Sequence, residues 1–352
     1  MSLVFVDGFD YYRAIGGITT TGPFPRKWGN ITANSSIVAG RHNAAFAQNL
    51  ALYSGVSGNN LTPPLGDEAT WIVGFALRGF DTNTQSRAIM YFFDVSTVQC
   101  ALWLDGNQRL TLLNGISGAT QATGTTPIRG LTWYHIQIKV TINNTTGSVH
   151  VKLNGQDEIH TGGGPVTSLD TQVSANATAN KIALVAHQEW YFDDLWICNT
   201  TTNTPGPPND DFLGDIKVET LFANGVGNSS QWTPLAGSNY ENVDETATDD
   251  DTSYVFSSTP TNVDTYTFAN LAQIDAGIKG VAVNLQHRKT TAGSKTIRPI
   301  VRHSGTDYAG TTVPVFDDYA SNTQIYQANP GTSATWTTGD VDAAEFGAEL
   351  VS

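Results

Sequence analysis

Cysteine, basic residues and long apolar runs are all scarce in this 352-residue chain. Two cysteines, Cys100 and Cys198, rule out a disulfide-stapled scaffold, and two sulfurs alone do not hold a structural zinc. Each follows or sits within an apolar run, which reads as a small core hydrophobe in a chain that folds under reducing conditions. No apolar stretch approaches the roughly 18–20 residues a membrane helix needs, so no membrane association is expected. The opening Met1-Ser2-Leu3-Val4-Phe5-Val6-Asp7-Gly8 lacks the basic and then long apolar regions of a secretory signal. Sequons such as Asn30-Ile31-Thr32 and Asn144-Thr145-Thr146 are then chance products of an Asn/Thr-rich composition. Lys and Arg total 18 against 32 Asp and Glu, a net charge of −14. Nucleic-acid binding rests on neutralising phosphates with basic side chains, so no DNA or RNA partner is expected. Heptads and collagen triplets are missing too, and 10% aromatics argue against disorder.

What is present is β-structure and uneven acidity. Residues 1–200 carry 11 basic and 13 acidic side chains, and residues 201–352 carry 7 and 19. The acidity therefore belongs almost wholly to the second part, where it reads as a solvated surface. In Trp133–Ile142 the residues Tyr134, Ile136, Ile138, Val140 and Ile142 share one face, while His135, Gln137, Lys139 and Thr141 take the other. A turn at 143–147 leads into an alternating 148–153 strand, and Asn154-Gly155 supplies the positive backbone angles of a type I′ turn. His135 and His150 fall on the polar face of this hairpin. Segments 71–77, 88–93 and 98–104 read as nearly continuous apolar strands in central positions, with 109–113, 181–186 and 190–198 as further strands. Many short strands with turn signals between them indicate a sandwich or jelly roll.

From Asn199 to Pro208 no apolar residue occurs and three prolines forbid a regular element. The spacing predicts a first domain over 1–198, a linker over 199–212 and a second, smaller β-sandwich over 213–352. In that second half, strands are expected at 216–222, 264–269, 280–288, 296–302 and 324–327. One helical turn is expected over 338–346, capped by Asp340, with Gly347 preceding a short tail. The fold class is all-β.

The opening Val6-Asp7-Gly8-Phe9-Asp10, the hairpin from Trp133-Tyr134-His135 to Val151–Gly155, and the closing Phe192-Asp193-Asp194-Leu195-Trp196-Ile197 resemble the concanavalin A-like (laminin G-like) sandwich family. The whole layout is also similar to a family of tailed-bacteriophage virion structural proteins. That similarity is carried by the Asp193–Ile197 strand, Asn209–Asp215, Gln231-Trp232-Thr233-Pro234, Ile297–Arg302 and Val341–Gly347. The resemblance implies a place in the particle rather than a chemical activity: capsid decoration, collar or fibre-type component. Its implied partners are other virion proteins of capsid or tail and further copies of itself, a trimer foremost, after folding in the host cytoplasm. A receptor-binding adhesin that grips host glycan is the alternative it leaves open.

Lectin-like sandwiches also host glycosidases, which need two carboxyl groups about 5–5.5 Å apart when retaining. No Glu-x-Asp-x-Glu run exists here. Asp193 and Asp194 are adjacent and so are expected on opposite faces, one bonding backbone at the strand entry and one at the surface. His135 and His150 are possible cross-strand neighbours, but no carboxylate or cysteine with ligand spacing joins them. Asn209-Asp210-Asp211 and Asp249-Asp250-Asp251 are oxygen-rich, yet neither has EF-hand spacing. No phosphate-binding, dinucleotide or nucleophile-elbow motif occurs, so neither an enzyme nor a cofactor is expected. For sugar, exposed aromatics are the signal. Trp103, out of phase with Cys100, Leu102 and Leu104, and Trp28, in an expected loop, are the two candidate glycan contacts.

Overall fold

The computed structural model describes residues 2–12, 16–17, 26–29, 35–41, 50–54, 58–79, 86–186, 190–200, 211–246, 249–272 and 277–352. The chain divides into two compact units, one formed mainly by residues 1–202 and 208–218, the other mainly by 219–352. Both are built almost entirely of antiparallel strands. Among the described residues no helix is long and apolar enough to cross a membrane.

In the first unit two sheets form a sandwich. The larger runs, in spatial order, through Gln156–Ile159, Gly147–Leu153, Trp133–Thr141, Thr70–Arg78, Trp190–Asn199, Leu50–Ser54, Ser35–Ala39 and Gly16–Gly17. The first strand, Ser2–Asp7, returns beside Trp190–Asn199. The smaller sheet runs through Thr120–Pro127, Arg109–Asn114, Thr97–Leu104, Arg87–Asp94, Lys181–Ala186 and Gly58–Leu61. Period-two alternation fixes the faces. Ile136, Ile138 and Val140 sit opposite Phe75, Val73 and Trp71, and all six are buried in the core. Phe92, Leu102, Leu104, Leu110 and Leu112 are buried in the smaller sheet. Both cysteines are free and buried; burial pushes the Cys198 thiol up to about 12 and raises that of Cys100 as well.

The Asn154-Gly155 turn has φ of 49° and 82°, as its sequence requires. The loop at 170–178 is fixed by Gln99, whose amide donates to Ser174 Oγ, Asn176 O and Thr178 O and accepts from the Val173 and Ser174 N–H groups.

The second unit holds a sheet ordered Ala223–Ser230, Val263–Phe268, Glu345–Leu350, Lys295–His303 and Thr306–Ala309, with Val313–Val315 also on Lys295–His303. A two-stranded ribbon, Val281–His287 with Ala320–Tyr326, shares a core with it through Val283, Val301, Trp336, Val341 and Phe346. Three expectations differ here. Residues 216–222 form no strand, and the tail after Gly347 belongs to a central strand, paired on both sides. The helix is Thr338–Ala343, and its cap is Thr337 rather than Asp340. The Thr337 hydroxyl accepts from the Asp340 N–H, while the Asp340 carboxylate accepts from the Thr337 N–H, which is a capping box.

Candidate functional site

The polar constellation of the first unit lies on the outer face of its larger sheet. His135, Ala76 and Asp193 are register partners across three neighbouring strands, so their side chains share that face. One step along, Gln137, Gly74 and Trp196 do the same. Gly74 is demanded there, since a Cβ would fall inside the Trp196 indole.

Asp193 and Asp194 do not point to opposite faces. The strand bulges between Asp193 and Trp196, and Asp194 adopts φ +51°, so the alternation of a regular strand is broken. Both carboxylates turn to Arg41. The Arg41 N–H donates to Asp193 Oδ2 at 2.8 Å, and its guanidinium reaches Asp194 Oδ2 at 3.5 Å and Asp215. Neither aspartate is at the surface, with exposures of 3% and 0%. Burial and the adjacent Asp194 charge push the Asp193 carboxyl well above the usual carboxylate range.

Residues 211–218 form a strap over this face. Gly214 N–H donates to Gln137 Oε1 at 2.9 Å, and Val218 N–H donates to Asp194 Oδ1 at 2.8 Å. Asp215 pairs with Arg41, and Asp211 lies 3.4 Å from Lys139 Nζ. Phe212 meets the His150 ring edge-on and carries the Lys152 ammonium over its own ring at 5.4 Å. The stretch expected to end a linker and open the second domain thus belongs to the first unit, because its backbone N–H groups find their acceptors there. Residues 209 and 210 lie outside the described residues.

The two histidines are not neighbours. His150 sits opposite Lys139, whereas His135 lies beyond the Ile136–Leu153 pair at the other end of the hairpin. His150 Nε2 bonds Asp157 at 2.7 Å. His135 is only 2% exposed, and both of its ring nitrogens are buried without a hydrogen-bond partner. Among the described residues no group of three or more His, Cys, Asp or Glu is placed to hold a metal ion. The Asp249–Asp251 run is dispersed: Asp249 accepts from Ser253, and Asp251 accepts from Arg288 and Tyr319.

The two tryptophans singled out for sugar differ in placement. Trp28 is not in an exposed loop but is core, at 2% exposure. It packs edge-on against Phe5 and stacks on Phe9, and its indole N–H donates to Asp7 Oδ2 at 2.9 Å. Its ring offers no face to a ligand. The Phe9 N–H closes the other Asp7 oxygen at 2.8 Å, and Lys27 lies 3.6 Å from Asp7. The opening Asp-Gly-Phe-Asp motif is therefore a packing device. Trp103 sits on the outer face of the smaller sheet, half-buried against Ala88, Tyr91, Phe93, Val98, Ala101, Ala183 and Val185. Gln99 and Arg41 went unread in the sequence. A single Gln or Arg has no spacing signature, and only the fold gives each its partners.

No protein-family model matches the chain, and no curated protein is similar to it. Among solved structures, a carbohydrate-binding module from Bacillus subtilis matches at 13% identity and TM-score 0.30, covering 52% of this chain and 96% of that one. A galectin-like protein of unknown function from Bacillus subtilis matches at 14% identity and TM-score 0.29, covering 43% and 82%. A Trypanosoma rangeli sialidase matches at 12% identity and TM-score 0.31, covering 44% of this chain. The chain spans only 26% of that sialidase's length. Scores this low tie the chain to none of these proteins.

Proposed function

We propose that this chain is a non-enzymatic structural protein of a tailed-bacteriophage particle, acting through protein–protein contacts as a capsid-decoration, collar or fibre-type component. The observation that carries this reading is the joining of two segments quoted for the resemblance. Asp194 of the Asp193–Ile197 stretch accepts the Val218 N–H, and Asp215 of the Asn209–Asp215 stretch shares Arg41 with both aspartates. Carboxylates engaged by backbone N–H groups and a guanidinium are building pieces, not a free acid–base pair. In this reading the partners are other virion proteins and further copies of the chain, a trimer foremost.

The test is location. Mass spectrometry and immunogold labelling of purified particles from a phage that encodes this chain should place it on the virion at stoichiometric copy number. Recovery only in the soluble lysate would overturn the proposal. Saturable binding of the isolated protein on a glycan array would favour the adhesin instead, and depolymerised host polysaccharide after incubation would favour an enzyme.

A further inference from the structure

The sheet face that the 211–218 strap bonds to carries a group that can change its charge. His135 shares a face with Gln137, which accepts the Gly214 N–H, and it is 98% buried with neither ring nitrogen bonded. An imidazole so placed is held neutral by its surroundings, and a proton added to it becomes a buried charge. The charged groups around it come from the strap and from the strands of the sheet. Asp215 lies on the strap, Asp194 on the Trp190–Asn199 strand, and Arg41 just after Ser35–Ala39. Lys139 lies further along its own strand, and Arg78 lies two residues beyond its partner Ala76. His150 and Lys152 lie on the next strand of the hairpin, and the strap also carries Asp211 and Lys217. Asp193 flanks it across Ala76.

We infer that residues 211–218 are an acid-released clasp, in which protonation of His135 beneath the strap loosens the segment from the sheet.

Burial lowers the affinity of His135 for its proton, with Arg41 adding to that and Asp215 and Asp194 opposing it. The folded imidazole therefore titrates below its unfolded value near 6.5. The stability that the neutral ring gives is full above that value and is lost as pH falls through the window below it. By the same linkage Asp193 works the other way, since a carboxyl raised in the folded state favours that state as pH falls, so the release rests on His135. Arg41 then serves as a fixed cation that disfavours the imidazolium. Freed, the eight residues would release up to about 25 Å of chain ahead of residue 219.

Hydrogen exchange of the full-length protein tests this, with rates converted to protection factors for the peptide containing the Gly214 and Val218 amides. Protection should fall at least tenfold between about pH 7.5 and pH 5, with a midpoint in the imidazole range. It should stay flat over that interval in His135→Gln. Flat protection in the native protein, or an equal loss in His135→Gln, would overturn the clasp. Should His135→Gln fail to fold, NMR titration of the His135 ring in the native protein decides: a ring still neutral where protection is lost sinks the proposal. Asp215→Asn gives a further check, because it should lower protection at neutral pH and, by removing a charge that favours the imidazolium, move the midpoint down; a midpoint that rises would sink the proposal.

Discussion

Gly74 and Asp264 show how single residues commit this chain to its packing. At Gly74 the missing Cβ makes room for the Trp196 indole, which is itself buried. Gly74→Ala should therefore destabilise the first unit by roughly 1–3 kcal/mol, the usual penalty for overpacking a filled site. Denaturant titration followed by tryptophan fluorescence measures it, and an unchanged midpoint would mean that the indole has room to move. Asp264 is 1% exposed and accepts from the Gln231 and Trp232 N–H groups, the Asn239 amide and the Tyr266 hydroxyl. Removing such an acceptor strands the buried Tyr266 hydroxyl and the half-buried Trp232 N–H and takes one partner from the buried Asn239 amide, at about 1–3 kcal/mol for each donor left unsatisfied. Asp264→Ala should accordingly cost more than 3 kcal/mol in denaturant unfolding of the second unit, and a loss under 1 kcal/mol would show that water replaces the carboxylate.

Among the elements, the short helix Thr338–Ala343 offers the cleanest test, because its cap is both local and titratable. Thr337→Ala should cost about 1 kcal/mol at neutral pH. The hydrogen bond from the Thr337 side chain, with help from its N–H and from His303, holds the Asp340 carboxyl below its ordinary value. A depressed carboxyl adds stability above its unfolded value and loses it as pH falls through the folded one. The gap between Thr337→Ala and native protein should therefore narrow in urea titrations at about pH 3 relative to pH 7. An equal gap at both would assign the whole effect to the threonine.

Elements also show what the sequence makes legible. The Trp133–Leu153 hairpin is plain, because strict alternation and an Asn-Gly turn are local signals. Glu345–Leu350 is not, since its Gly347 fits against the Asp264–Thr265 backbone and leaves no apolar rhythm to read. Ala223–Ser230 and Thr120–Pro127 are small and polar for the same lack of pattern. Near-continuous burial of the 71–77 strand was legible, but its cause was not. The strap over part of its outer face is irregular chain, fixed by Gln137, Asp194 and Arg41, which lie far away in sequence. The site residues split the same way. Trp28 looks like loop because its context is Pro-Arg-Lys-Trp-Gly, yet only the Asp7 carboxylate shows why it is core.

At the scale of the whole molecule, charge decides which surface is cheap to crowd. Residues 201–352 hold 19 carboxylates against 7 bases, whereas residues 1–200 are close to balance. Copies packed through the acidic part would repel one another, and that repulsion is relieved as salt shortens the screening length from about 10 Å at 0.1 M to about 3 Å at 1 M. Copies packed through the nearly neutral part depend on apolar contact, which salt does not weaken. If the chain assembles as proposed and does so through its first unit, the mass from light scattering should hold constant from about 0.1 to 1 M sodium chloride at neutral pH. An oligomer that falls apart with salt would place basic partner surface against the acidic part instead. One that forms only at high salt would show that the acidic parts meet each other, so the same titration separates all three arrangements.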